Sequence, residues 1–248
     1  MARLPITKTP KCLVGGAFIR SESGAVAPMH DCRGRFIAHI PQCTRKDLRN
    51  AVESAAKAGD GWANRTPYNR GQILYRLAEM LESRSAEFAA ALQVTLAGRS
   101  AALREVHAAI DRVTHYAGWT DKFQALLGSV NPVASPHLNF SVVEPVGVVG
   151  VVASEESPLL GLLSMLLPAI TSGNTVVALA SGGQPYPAIL LGEVLAVSDL
   201  PAGVVNLLTG RRSDLLPTFA THAQIRSVYA DVAASEAEAL EKGAAASV

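Results

Sequence analysis

The chain is 248 residues long, 49% apolar and 17% charged, a core-rich composition that excludes fibrous and disordered classes and fits one large α/β unit or part of a two-domain protein. Twenty-two basic and twenty-one acidic residues leave a net charge of +1, with no basic block to neutralise phosphates, so nucleic acid is excluded as a partner on electrostatic grounds. The longest apolar run, Leu159 to Ile170, is too short to cross a bilayer and contains Pro168, and Met1 to Lys8 holds no apolar leader, so no membrane partner and a cytoplasmic location are expected.

Residues 12–43 alternate short apolar runs with Gly15-Gly16, Ser21 to Gly24 and Arg33-Gly34, the punctuation of β-hairpins. Thr44 to Asp47 reads as a capping box opening a helix that stops at Gly59 and Gly61. Thr66 caps a second helix with Pro67 at its first position, and Ile73, Leu74, Leu77, Leu81, Phe88 and Leu92 recur at helical spacing along it. A third helix runs from Leu103 to about Phe123, with Val106, Ile110, Val113 and Ala117 on one side.

From Gly128 to Pro145 two prolines among β-branched residues predict an extended connector or edge strand with no partner nearby in sequence. From Gly147 the pattern is βαβ. Val148 to Val152 and Thr175 to Leu179 are apolar strands, with a helix between them capped at Ser157-Pro158 and ending before Gly173, and the crossover is expected to be right-handed. A helix over Pro187 to Val197, a strand over Gly203 to Leu208, a short helix from Ser213 to Thr221 and a weak strand from Ile225 to Tyr229 follow. Ala233 to Lys242 is helical by propensity.

Familiar catalytic signatures are missing. The turn after the first βαβ strand, Ala153 to Pro158, has no glycine where a dinucleotide fingerprint would place three. The six histidines form no i,i+4 ligand pair, and no metal site is predicted. Cys12, Cys32 and Cys43 lack metal or disulfide spacing and read as reduced, partly buried thiols. Glu155 and Glu156 admit two readings: an acid/base pair at the mouth of the sheet, or acids placed before a helix N-terminus to favour its dipole.

Three ordered strings carry a resemblance: Tyr68 to Leu81 (YNRGQILYRLAEML), Tyr116 to Lys122 (YAGWTDK) and Glu144 to Gly150 (EPVGVVG), continued by Leu167-Pro-Ala169, Ser172 to Val177 (SGNTVV) and Asp199 to Gly210 (DLPAGVVNLLTG). Together they resemble the N-terminal half of an aldehyde dehydrogenase, from about residue 12 to 230. The implied fold is α/β: an incomplete Rossmann-type parallel sheet preceded by an N-terminal hairpin and helical region. The implied domains are 1–128, hairpin and helices; 129–146, a connector resembling the first strand of the family's oligomerisation hairpin; and 147–248, a truncated βαβ region without the catalytic domain.

The departures from the family bear on chemistry. Where the family reads Thr-Pro-Trp-Asn-Phe-Pro, this chain places Glu156 at the Asn position, and a carboxylate there would repel the developing oxyanion. The family's Lys-Pro-Ala-Glu, which holds the adenosine ribose, is replaced by Leu179-Ala180-Ser181-Gly182. Asp231 stands near the pyrophosphate-binding turn, where amides and a positive dipole are wanted.

The resemblance therefore implies a vestigial pocket at Ser154, Glu156, Leu179, Ser181, Gly182, Gly210 and Asp231. It implies no catalytic residue, because the family's base and cysteine nucleophile lie beyond the matched half. NAD(P) is the family cofactor, and none is expected on the isolated chain. The expected function is a catalytically inactive subunit that assembles with a full-length aldehyde dehydrogenase, or with itself. A stand-alone nucleotide or metabolite binding module and an oxidoreductase half completed in trans are the alternatives.

Overall fold

A computed structural model describes residues 8–94 and 98–245. Strands β1 (Cys12–Val14) and β2 (Ala17–Ile19) turn through Gly15 and Gly16, both at positive φ, as a tight two-residue hairpin requires. A second hairpin pairs β3 (Val26–His30) with β4 (Phe36–Pro41).

Helix α1 (Arg45–Ala63) begins with the expected reciprocal cap, Thr44 Oγ1 accepting from Asp47 N and the Asp47 carboxylate from Thr44 N. It does not stop at Gly59 or Gly61. Trp62 is fully buried and its indole N–H donates to Ile170 O at 2.9 Å, and that burial outweighs the roughly 1 kcal/mol that each helical glycine costs. Thr66 caps α2 (Pro67–Ser83) as predicted, but the apolar stripe through Leu92 breaks at Arg84, where α3 (Ser85–Gln93) begins. Arg84 reaches Glu87 and the more distant Glu193. Helix α4 (Arg99–Trp119) starts four residues before Leu103, and Phe123 opens a separate short helix, α5 (Phe123–Leu127).

The segment expected to be an unpartnered extended strand is a hairpin in its own right. Strand β5 (Ser129–Asn131) pairs antiparallel with β6 (Asn139–Ser141), Pro132 and Pro136 lie in the connection, and Asn131 Nδ2 donates to Asn139 Oδ1 and Ser141 Oγ. The prolines interrupt the strand without removing a ladder donor, and so give it room to turn back.

The remaining elements follow the predicted alternation: β7 (Val148–Val152), α6 (Leu160–Thr171), β8 (Thr175–Leu179), α7 (Tyr186–Leu195), β9 (Val205–Leu208), α8 (Arg212–Thr221), β10 (Ile225–Ala230) and α9 (Ala234–Ala245). Among the described residues the main sheet has the order β10-β7-β8-β9-β1-β2. The first four strands are parallel, and the N-terminal hairpin extends the sheet antiparallel through Leu13 opposite Leu207. The α/β class is as expected.

Alternation along the strands divides the core in two. Val149, Val151, Val176 and Ala178 pack with the α2, α4 and α6 side, whereas Val148, Val152, Val177 and Leu179 pack with α1 and α8. Both faces are covered, so β7 and β8 are apolar throughout. The predicted Ser157-Pro158 cap is not used. Glu105, from α4, supplies one carboxylate oxygen to the N–H groups of Leu159 and Leu160 at 3.0 and 3.2 Å. Among the described residues no helix is long and apolar enough to cross a membrane.

Candidate functional site

Parallel strands deliver their carboxyl ends to one edge, and the turns beyond them form the crevice of an open α/β sheet. Two cavities lie there. One, of about 520 Å³, sits over the ends of β8 and β9 and is lined by Glu155, Ser181, Gly182, Gly183, Gly210, Arg211 and Arg212, with Met29, His30 and Gln42 from the second hairpin closing its far side. The other, of about 440 Å³, sits over the ends of β7 and β10 and is lined by Arg112, Ser154, Ser157, Gly161 and Asp231 among others.

Glu155 organises the first cavity. Its Oε2 accepts from Ser181 Oγ at 2.6 Å and Gly183 N at 2.9 Å, and its Oε1 accepts from Gly182 N at 2.9 Å and lies 3.0 Å from Arg212 Nη2. A carboxylate offers about four lone-pair positions, so every one is used. Partial burial works to raise its pKa, but the Ser181 hydroxyl, the two glycine N–H groups and Arg212 together hold it below the usual carboxylate range. Arg212 also donates to Ala153 O, so the turns after β7 and β8 and the start of α8 are tied through one carboxylate.

This geometry gives Glu155 a structural part, an ionised tie between turns, and the first N–H groups of α6 are met by Glu105. Glu156 points into solvent and lines neither cavity, and its backbone N–H donates to Ser154 Oγ at 3.2 Å.

The predicted pocket positions therefore separate. Ser181, Gly182 and Gly210 line the first cavity, Ser154 and Asp231 line the second, and Leu179 lies fully buried in the core beneath them. Arg211, Arg212, His30 and Gln42 join the first cavity without having been singled out, and so does Glu155, which the sequence had marked as one of two adjacent acids at the mouth of the sheet. No cysteine lines either cavity: Cys12 and Cys43 are buried and Cys32 is exposed. Among the described residues no His, Cys, Asp and Glu cluster has metal-binding geometry.

A sequence profile described as "Aldehyde dehydrogenase family" matches residues 18–233. The chain belongs to that family. It is 32% identical over 206 residues to the mitochondrial benzaldehyde dehydrogenase of Antirrhinum majus, covering 81% of this chain and 38% of that protein. It is 27% identical over 232 residues to the omega-crystallin of Enteroctopus dofleini, covering 91% and 46%. The NAD+ complex of the Bacillus cereus aldehyde dehydrogenase superimposes with a TM-score of 0.92 at 23% identity, over 97% of this chain and 49% of that one. The NAD-dependent enzyme of Sinorhizobium meliloti gives 0.92 at 24%, over 98% and 49%. The chain thus spans half, or less, of the aldehyde dehydrogenases it matches, and its fold is that of their N-terminal, Rossmann-like portion.

Proposed function

We propose that this chain is a non-catalytic aldehyde dehydrogenase-family subunit that does not hold dinucleotide by itself and supports a full-length aldehyde dehydrogenase by assembling with it. The observation that carries this reading is the saturated Glu155 carboxylate. The donors at the end of β8, the side of the crevice where the family resemblance places the adenosine ribose, are satisfied by the protein's own side chain. Leu179, at the position of the family's ribose-binding lysine, is in the core. The residues present do not fit NAD(P).

Assembly is supported by the β5–β6 hairpin. Val130, Leu138 and Phe140 are 77%, 75% and 60% exposed, and they line one groove with Gln124 and Ala125 of α5. Exposed apolar side chains grouped in this way mark an interaction surface. Native mass spectrometry of this chain mixed with a full-length aldehyde dehydrogenase should show a hetero-oligomer without bound nucleotide, and Val130→Ser with Phe140→Ser should abolish it. An unchanged mass for both chains at micromolar concentration overturns assembly. Nucleotide retained by the isolated chain would overturn the silent crevice and favour the binding-module reading.

A further inference from the structure

Behind the wall of the larger cavity lie two thiols that the proposed function does not use. Cys12 of β1 and Cys43, two residues beyond β4, are 31 positions apart in sequence, yet their Sγ atoms stand 3.5 Å apart. Thr209 Oγ1, at the end of β9, is 3.3 Å from Cys12 Sγ. Backbone holds all three: Cys12 is in register with Ile19 in the first hairpin, and Cys43 N donates to Thr209 O at 2.9 Å. The contact is therefore built into the sheet. Both residues are buried, at 1% and 5% exposure, but the wall over Cys43 is thin. A Cβ built at Gly210 would stand 3.2 Å from Cys43 O and 3.3 Å from Cys43 N, and Gly210 and Gln42 both face the cavity.

Two buried thiols can serve merely as small apolar residues, but these two stand in contact with each other. The Thr209 hydroxyl donates to Pro41 O at 2.6 Å and so accepts from Cys12, while the Cys43 thiol is left to donate to Cys12 Sγ; that contact holds Cys12 below the ordinary thiol value against the opposing effect of burial. The same contact, with burial, pushes Cys43 up. At 3.5 Å, either sulfur, once oxidised, has the other in position to resolve it.

We propose that Cys12 and Cys43 are an oxidation site, a dithiol that a hydroperoxide converts into a disulfide behind the crevice wall. Cys12 Sγ attacks one peroxide oxygen, the O–O bond breaks, and the displaced hydroxide takes up the proton that Cys12 gives up, leaving a sulfenic acid and one water. Cys43 Sγ then attacks Cys12 Sγ, the S–O bond breaks, and hydroxide departs with the Cys43 proton as a second water. Two thiols lose two electrons and one hydrogen peroxide becomes two waters. Bond formation brings the sulfurs from 3.5 Å to about 2.05 Å. The new bond staples β1 to the segment that carries Gln42, and so fixes the hairpin side of the cavity. It also closes a loop that restricts the unfolded chain, so the oxidised protein unfolds at a higher temperature.

The test uses the full chain carrying Cys32→Ser, so that only this pair remains. Folded protein treated with hydrogen peroxide should lose the mass of two hydrogens. After denaturation it should take up no alkylating reagent, recover both thiols on reduction, and show a raised Tm before reduction. Adding Cys43→Ser should remove the mass loss and leave single-oxygen addition at most. Peroxide that oxidises Cys32 in the parent chain but leaves the Cys32→Ser protein unchanged, or adds only oxygen to it, overturns the proposal.

Discussion

Replacing Glu155 by Gln keeps the side chain's shape and removes its charge. The carboxylate now serves Ser181, Gly183, Gly182 and Arg212, whereas a carboxamide has one oxygen, able to take two of these four. Ser181 can reverse its hydroxyl and accept, so the favoured placement turns the amide nitrogen towards Ser181 and Gly183. Gly183 N–H then loses its acceptor and Arg212 loses its counter-charge. Two such losses at about 0.5–1.5 kcal/mol each would sum to about 1–3 kcal/mol in a closed site. The Glu155 side chain is 42% exposed and water re-solvates the freed groups, which brings the expected loss to about 1 kcal/mol, or a Tm lower by roughly 2–4 °C for a chain of this size.

The pH dependence follows from the lowered pKa. The contribution of Glu155 is fully present above its unfolded value of about 4.3 and is lost as pH falls through the still lower folded value. Urea denaturation should therefore give a constant gap between parent and Glu155→Gln from pH 6 to 8, closing below about pH 4. Equal stability at pH 7, or a gap that persists in acid, would refute the ionised four-point tie, and with it the carboxylate-filled crevice on which the silent-subunit proposal rests.

Two further outcomes test the architecture around that crevice. Glu105→Ala removes the acceptor of the Leu159 and Leu160 N–H groups. It should destabilise by about 1–2 kcal/mol, as loss of a helix N-cap does, and speed hydrogen exchange at those two amides, while Glu105→Gln should recover part of the loss. Gly150→Ala places a Cβ 2.8 and 3.2 Å from the Phe219 ring and 3.3 Å from Ile225 Cγ2. Phe219 is 1% exposed and cannot move aside, so the substitution should destabilise by about 1–3 kcal/mol. Phe219→Leu in the same chain should recover part of that loss, a coupling measurable by denaturation of the four-member cycle.

The sequence by itself determined the elements whose causes are local. Apolar runs specified β7, β8 and β9. Helical spacing specified the stripes of α2 and α4, and the caps at Thr44 and Thr66 need only side chains that reach three residues along. The alternation from Gly147 specified the succession of βαβ units, and the family resemblance added the reading of Leu179 to Gly182 as the place of the family's ribose contacts.

Tertiary structure alone decided what depends on groups arriving from far along the chain. Helix α1 continues past its glycines because the Trp62 indole finds Ile170 O, 108 positions away. The start of α6 is satisfied from 54 positions away by Glu105. Glu155 turns inwards, and Glu156 outwards, because the Ser181, Gly182 and Gly183 donors, 26 to 28 positions on, meet one carboxylate and not the other. Cys12 and Cys43 touch only because β1 and the segment just beyond β4 converge on Thr209. Hydrophobic period and capping act within a few residues and can be read from a string. The direction of a polar side chain in a turn is set by which donors the packed sheet brings to it, and that is known only once the strands are side by side.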